Sequence, residues 1–237
     1  MKGIILAGGM GTRMGDCTKV INKHLLPVYN KPMIYYPVNT LKNIGIKDIL
    51  IIIGGHRIGD IPLLLGDGSH LDVNITYRVQ KEPKGIAHAL LLAEKFVGDD
   101  TVVVLLGDNY FEENLSDEIK NFSNGAKIFL KETKYPRKFG IAVVRDNKVI
   151  DIEEKPENPK TNLAVTGLYI YDNKIFDIIR TLKPSNRDEL EITDVNNVYI
   201  KTNQMSYYIL NSYWGDMGEP DSLLEMAYLL YQKNNNK

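Results

Sequence analysis

Four short aliphatic runs dominate the first half of the chain: Gly3 to Ala7 (GIILA), Asp48 to Ile53 (DILIII), Asn74 to Val79 (NITYRV) and Thr101 to Leu106 (TVVVLL). Each stops at a glycine or a polar residue and is aliphatic on both alternate faces, the pattern of a strand covered on both sides. Helical segments lie between them. Met33 to Ile44 has apolar residues at 34, 38, 41 and 44 and runs into Gly45, a helix stop; Ala87 to Phe96 is rich in Ala and Leu. Strand alternating with helix predicts an α/β fold with a mostly parallel sheet and helices on both faces.

After Gly125 the rhythm becomes β-rich. Ala126 to Thr133, Gly140 to Arg145, Lys148 to Glu154 and Ala164 to Tyr171 read as strands, with Asp146-Asn147 as a tight turn. Asn173 to Leu182 reads as a helix, and Thr193 as the N-cap of another that runs to Lys201. Gln204 to Leu210 and Tyr213-Trp214 are strand-like, Asp221 to Gln232 closes with an amphipathic helix, and the Asn234 to Lys237 tail is expected to fray. No linker separates two folding units. The expectation is one domain over 1–237, with a first half (1–124) and a second, β-rich half (125–237).

Composition narrows the function classes. Lys and Arg total 29 against 30 for Asp and Glu, which argues against a nucleic-acid coat or a polybasic membrane binder. The aliphatic runs Ile49–Ile53 and Val102–Leu106 have five residues each, far short of a membrane span. One cysteine, Cys17, rules out an intrachain disulfide framework, and Met1–Ala7 enters Gly8 with no leader-like segment. A cytoplasmic setting without nucleic-acid or membrane partners is the expectation.

The first chemical signal is Leu6-Ala7-Gly8-Gly9-Met10-Gly11-Thr12-Arg13, directly after the first strand. Glycine N–H groups can ring a phosphate, and an arginine just beyond adds a charge suited to bidentate contact. Alone, the motif also suits a dinucleotide-binding turn and hence an NAD-dependent oxidoreductase. Against that, the second strand ends Ile53-Gly54-Gly55-His56, without the carboxylate that holds a ribose, and no Gly-Lys-Ser/Thr follows to make a P-loop.

With Lys23-His24-Leu25-Leu26-Pro27-Val28-Tyr29-Asn30-Lys31-Pro32 after it, the turn resembles the sugar-1-phosphate nucleotidyltransferases, and among them the glucose-1-phosphate thymidylyltransferases. The resemblance continues in order through Leu65-Gly66-Asp67-Gly68-Ser69, Gly85-Ile86-Ala87-His88-Ala89, Leu106-Gly107-Asp108-Asn109, Glu153-Glu154-Lys155-Pro156 and Val165-Thr166-Gly167-Leu168-Tyr169. It ends with Glu189-Leu190-Glu191-Ile192-Thr193-Asp194 and Trp214-Gly215-Asp216-Met217-Gly218. It implies a Rossmann-like nucleotide-diphospho-sugar transferase fold with a small β-rich sugar-binding part. It also implies the reaction: dTTP or UTP plus a sugar 1-phosphate, glucose 1-phosphate foremost, gives a nucleoside-diphosphate sugar and pyrophosphate.

By that resemblance Leu6, Gly8, Gly9, Gly11 and Thr12 hold the nucleotide, and Gln80 and Gly85 select the base. Arg13 takes the leaving pyrophosphate, and Lys23 supports the α-phosphate in the transition state. Asp108 and Asp216 hold Mg²⁺, while Gly140, Glu154, Lys155, Gly167 and Glu191 bind the sugar phosphate. Taken singly, Arg13 and Lys23 read as surface charges, Asp108 as a turn residue and Glu153-Glu154 as a solvated pair, of which alternation turns only one inward. A sensor that binds sugar nucleotides without turnover is the alternative in another class, and homo-oligomerisation is left open.

Departures from the pattern are Met14-Gly15-Asp16-Cys17-Thr18, where relatives carry Leu-x-Pro-x-Thr, and Phe139-Gly140 in place of Tyr-Gly. Asp16 adds an anion beside the phosphates, so this loop is expected to be more mobile unless that carboxylate turns away. The chain stops soon after its last helical segment, and the assembly and regulatory features of longer relatives are not carried over.

Overall fold

The computed structural model describes residues 1–55 and 57–235. Its strands are β1 (Lys2–Ala7), β2 (Pro27–Val28), β3 (Lys31–Pro32), β4 (Asp48–Ile53), β5 (Asn74–Val79), β6 (Val102–Leu106) and β7 (Asn109–Phe111). They continue with β8 (Ala126–Glu132), β9 (Gly140–Arg145), β10 (Lys148–Glu154), β11 (Leu163–Tyr171), β12 (Met205–Ile209) and β13 (Trp214–Asp216). The helices are α1 (Cys17–Val20), α2 (Tyr35–Asn43), α3 (Asp60–Leu65), α4 (Ile86–Leu91), α5 (Glu94–Val97), α6 (Ser116–Lys120), α7 (Ile175–Thr181), α8 (Ile192–Lys201) and α9 (Pro220–Asn235).

One mixed sheet runs β10-β9-β11-β6-β1-β4-β5, with β8 beside β11 and β12 beside β8. The four runs read from the first half are its parallel part, Leu6 level with Ile52 on one side and Leu106 on the other. The cover on both faces expected for Asn74 to Val79 fails, because β5 lies at the sheet edge with Asn74, Thr76, Arg78 and Val79 exposed. Period-2 alternation sorts the core. Ile4, Leu6, Leu50, Ile52, Val102 and Val104 face α4, α7 and α8, while Ile5, Ile49, Ile51, Ile53, Val103 and Leu105 face α2, α3 and α6. The chain moves from β1 outward to β5, then returns to add β6 on the other side of β1. That reversal leaves a crevice at the carboxyl ends of β1 and β6, where open α/β sheets hold ligands.

Antiparallel β11 joins the halves by pairing with β8 along one edge and with β6 and β9 on the other. Two small antiparallel sheets, β2–β3 and β7–β13, stand off the main one. Helix α9 packs Met226 and Leu230 onto Val28, Met33 and Met217, which ties the last helix to the β2–β3 hairpin and to the residue after Asp216.

Several local expectations change. The single helix at Ala87–Phe96 is two, α4 and α5, because Leu92 and Ala93 close i→i+3 bonds to Ala89 and Leu90 and tighten the chain there. Thr193 is not the cap of α8: the helix starts at Ile192, and the Thr193 hydroxyl donates instead to Glu154 Oε2 at 2.7 Å. The fraying expected from Asn234 is not seen at Asn234 and Asn235, which are helical and donate back to Leu230 and Tyr231. Asn236 and Lys237, and His56 at the end of the second strand's motif, lie outside the described residues.

Candidate active site

The crevice at the ends of β1 and β6 is a cavity of about 610 Å³. Its first wall is the glycine turn. Gly8 follows β1, and a Cβ built there would collide with the Gln80 carboxamide, so glycine lets Gln80 lie across the turn. The Thr18 hydroxyl donates to the carbonyls of Gly11 at 2.9 Å and Gly15 at 3.1 Å, which fastens the loop that carries Thr12 and Arg13. Asp16 turns away: its side chain is 91% exposed and pairs with Lys19 at 2.7 Å, so its charge faces solvent and not the cavity.

Lys23 and Asp108 form the floor. Asn22 caps the short turn Lys23–Leu25, its Oδ1 accepting from the His24 N–H and lying 3.0 Å from His24 Nδ1. This turn places Lys23 Nζ 2.5 Å from Asp108 Oδ2, with both side chains buried. Burial pushes the Asp108 carboxyl up, but the Lys23 ammonium and the Asn109 amide outweigh it and hold the carboxyl well below the usual range. Burial, reinforced by the Lys23 charge, lowers His24 to about 3, so its imidazole is neutral at physiological pH.

Asp216 arrives through the β7–β13 ladder, whose register sets Asp216 opposite Asn109 and so beside Asp108. A Cβ built on Gly218 would lie 2.7 Å from Asp216 Oδ1, 3.3 Å from Asp108 Oδ2 and 3.2 Å from Arg13 Nη2, so the two carboxylates and the guanidinium converge on one point. The Gly218 N–H donates to Asp216 Oδ1 at 2.7 Å. Even so, burial and the negative Asp108 push the Asp216 carboxyl up to about 6.

These oxygens suit a small hard cation. The crowded carboxyls lack enough positive charge, and Lys23 already stands as a cation on Asp108. Among the described residues no group of three or more His, Cys, Asp or Glu could hold an ion. Two carboxylates, with water and substrate oxygens completing the shell, match the habit of Mg²⁺ and not that of a closed zinc site.

Beside the glycine turn, Gln80 is buried and its Nε2 lies 3.1 Å from His88 Nδ1; the amide can only donate there, so His88 accepts and orients it. Gly85 has φ 96°, and a Cβ on it would meet the Leu190 backbone, so only glycine allows this close crossing. Glu154, Lys155 and Glu191 line the same cavity. Glu154 turns inward while Glu153 is exposed, as strand alternation requires. Lys155 has φ 45°, which bends the chain out of β10 at the cavity edge.

Of the residues singled out from sequence, Leu6, Gly8, Gly9, Gly11, Thr12, Arg13, Lys23, Gln80, Gly85, Asp108, Glu154, Lys155, Glu191 and Asp216 line this one cavity. Gly140 and Gly167 do not. A Cβ at Gly140 would sit 3.3 Å from Glu154 Oε2 and from Thr193 Oγ1, behind the wall, and the Gly167 N–H donates to Asn109 Oδ1 at 3.2 Å. Three residues at the site were not foreseen. Arg187 lines the cavity and grips Glu191 with two nitrogens; His88 orients Gln80; Asn109 links Gly167, Trp214 and Asp108. His88 and Asn109 both lay in motif positions, the first three residues past Gly85 and the second directly after Asp108, whereas Arg187 lay in none.

A catalogue model described as nucleotidyl transferase matches residues 2–233. A glucose-1-phosphate thymidylyltransferase of Neisseria meningitidis is 44% identical over 234 residues, covering 96% of this chain and 81% of that protein. The crystal structure of a Bacillus anthracis protein assigned as a glucose-1-phosphate thymidylyltransferase, in complex with sucrose, superposes with TM-score 0.92 at 49% identity, over 97% of this chain and 94% of that one. A UDP-glucose pyrophosphorylase complexed with UDP-glucose gives 0.85 at 25% identity, over 98% of both chains. Among the described residues no helix is long and apolar enough to cross a membrane.

Proposed function

The chain belongs to the nucleotidyl transferase family, and from that premise we propose that it joins the nucleotidyl group of dTTP or UTP to glucose 1-phosphate and releases pyrophosphate. The observation that carries this reading is the convergence of Arg13, Lys23, Asp108 and Asp216 in one cavity that Glu154, Lys155 and Glu191 also line. One sheet takes strands from both 1–124 and 125–237, which supports reading the chain as one catalytic domain with a nucleotide half and a sugar-phosphate half. The single cysteine supports a cytoplasmic setting.

A phosphate oxygen of the sugar attacks the α-phosphorus in line; the new P–O bond forms as the bond to the β-phosphate bridge breaks, and pyrophosphate leaves with that electron pair. The nucleophile is already an anion, so no general base is needed. The task is to position several negative charges and stabilise the one that develops. The backbone of Gly8–Thr12 cradles the triphosphate, and Arg13 holds the departing pyrophosphate. Lys23 exchanges its contact with Asp108 for the α-phosphate, where charge builds up.

When bound between Asp108 and Asp216, Mg²⁺ supplies charge neutralisation across the phosphates. Gln80, fixed by His88, offers an acceptor and a donor to the edge of thymine or uracil, and Gly85 leaves room for the base. Lys155 takes the phosphate of the sugar. Glu154 and Glu191 accept from its hydroxyls, since one ionised carboxylate can take two adjacent donors. Gly140 and Gly167 act from behind, the first by leaving space for the Glu154–Thr193 contact, the second by fixing Asn109 and through it Asp108.

The test is pyrophosphate release with Mg²⁺ across dTTP, UTP, CTP, GTP and ATP, each paired with a panel of sugar 1-phosphates. The expected result is release with dTTP or UTP and glucose 1-phosphate. Release with no combination refutes the reading and leaves a sugar-nucleotide sensor.

A further inference from the structure

Arg13, which lines the cavity, also takes part in a charge arrangement that the reaction above does not use. Glu219, three residues past Asp216, takes two cations on one carboxylate: Arg13 Nη1 lies 3.3 Å from its Oε1 and Lys138 Nζ 2.5 Å from its Oε2. The cations come from separate parts of the sheet. Arg13 follows β1, whereas Lys138 closes the turn Pro136–Lys138 that leads into β9.

Both are tied to the site. The second arginine nitrogen reaches the point beside Gly218 where Asp108 and Asp216 meet. Lys138 is followed by Phe139, whose ring packs edge-on against Trp214 at 5.1 Å and whose carbonyl accepts from the Lys155 N–H at 3.1 Å. The ammonium therefore stands on a segment fastened both to the strand of Asp216 and to the candidate sugar-phosphate lysine. A carboxylate held between two cations presents them with what a terminal phosphate would present, two oxygens sharing negative charge. All three side chains are partly exposed, so the bridge is weak, and a multiply charged phosphate displaces a single carboxylate from it.

We propose that Lys138 is a second cation for the leaving pyrophosphate, and that Glu219 is an internal stand-in which holds Lys138 and Arg13 together until the triphosphate displaces it. This rests on the nucleotidyl-transfer reading of the site. Lys138 keeps its proton throughout; the electron pair of the broken P–O bond leaves with pyrophosphate, as above. When Glu219 returns to the two cations it competes with pyrophosphate and speeds its departure.

The experiment measures pyrophosphate affinity by titration calorimetry, and KM for each substrate, in wild type, Lys138→Ala, Lys138→Arg and Glu219→Gln. Lys138→Ala is expected to weaken pyrophosphate binding about tenfold and to raise KM for the nucleotide. KM for sugar 1-phosphate should stay within about twofold, and Lys138→Arg should restore most of the loss. Glu219→Gln is expected to tighten pyrophosphate binding several-fold and to strengthen product inhibition. Wild-type pyrophosphate affinity in Lys138→Ala, or weaker binding in Glu219→Gln, overturns the proposal while wild-type turnover stands. Absence of turnover in the wild type instead refutes the underlying transfer reading.

Discussion

Replacing Lys23 by methionine should separate the charge of this residue from its bulk. In the folded protein the ammonium lies 2.5 Å from Asp108 Oδ2, with side-chain exposures of 9% and 11%. Removing one partner of a buried pair costs about 3–5 kcal/mol, because the other charge is left without compensation. Here the penalty depends on pH in a defined direction. Without Lys23, Asp108 and Asp216 share one site as like charges, and at least one carboxyl titrates above its unfolded value of about 3.9. A raised carboxyl makes the folded state bind more protons than the unfolded one, so stability falls as pH rises through the raised pKa. The stability deficit of Lys23→Met should therefore be large at pH 8 and smaller at pH 5. Added Mg²⁺ should raise its melting temperature more than that of wild type, since the uncompensated carboxylates gain most from a cation. Loss of a cation at the reacting phosphate should lower kcat/KM by about 10²–10³-fold. Denaturant melts at the two pH values, with and without Mg²⁺, together with a pyrophosphate-release assay, check all three. A deficit independent of pH, or kcat/KM within tenfold of wild type, refutes the reasoning.

Further expectations concern other parts of the site. Asp216→Asn keeps the shape but removes the charge. It should raise the Mg²⁺ concentration for half-maximal activity about a hundredfold, at least what lost supporting contacts cost metal sites, as read from an Mg²⁺ titration of initial rates. His24 titrates at about 3 when folded against 6.5 for an ordinary imidazole; its share of stability is fully present above about pH 6.5 and is lost as pH falls toward 3. That contributes a slope of up to about 1.4 kcal/mol per pH unit. Denaturant melts between pH 4 and 7 should show a shallower fall in His24→Gln. Gln80→Ala should reduce the preference for dTTP or UTP over CTP about tenfold in kcat/KM, the worth of one hydrogen bond at roughly 1.4 kcal/mol.

The parallel part of the sheet was legible because β1, β4 and β6 are buried on both faces and so stand out as unbroken aliphatic runs, whereas edge strand β5 (NITYRV) is half exposed and shows only short alternation. The break between α4 and α5 was not, because Leu92 and Ala93 are good helix residues and only packing against the sheet tightens the chain there. Motif order singled out Lys23, Asp108 and Asp216, but their convergence is tertiary: it depends on the β7–β13 register and on the Asn22 cap, and neither is visible in residue spacing. Arg187 escaped notice because a lone arginine in a polar loop has the same appearance whether it faces water or a cavity. Gly140 and Gly167 show the opposite failing. They stand in the right motifs, yet lie one layer behind the wall they were expected to form.

The central claim is that the α-phosphorus is attacked and pyrophosphate leaves whole. Incubating the protein and Mg²⁺ with glucose 1-phosphate and dTTP labelled with ³²P either at the α- or at the γ-position follows the bond that breaks. The α-label is expected in the sugar nucleotide and the γ-label in pyrophosphate, with both transfers slowed about 10²–10³-fold in Lys23→Met. Label released as inorganic phosphate from the γ-position, or α-label that stays in a nucleoside monophosphate without sugar attached, would contradict that claim.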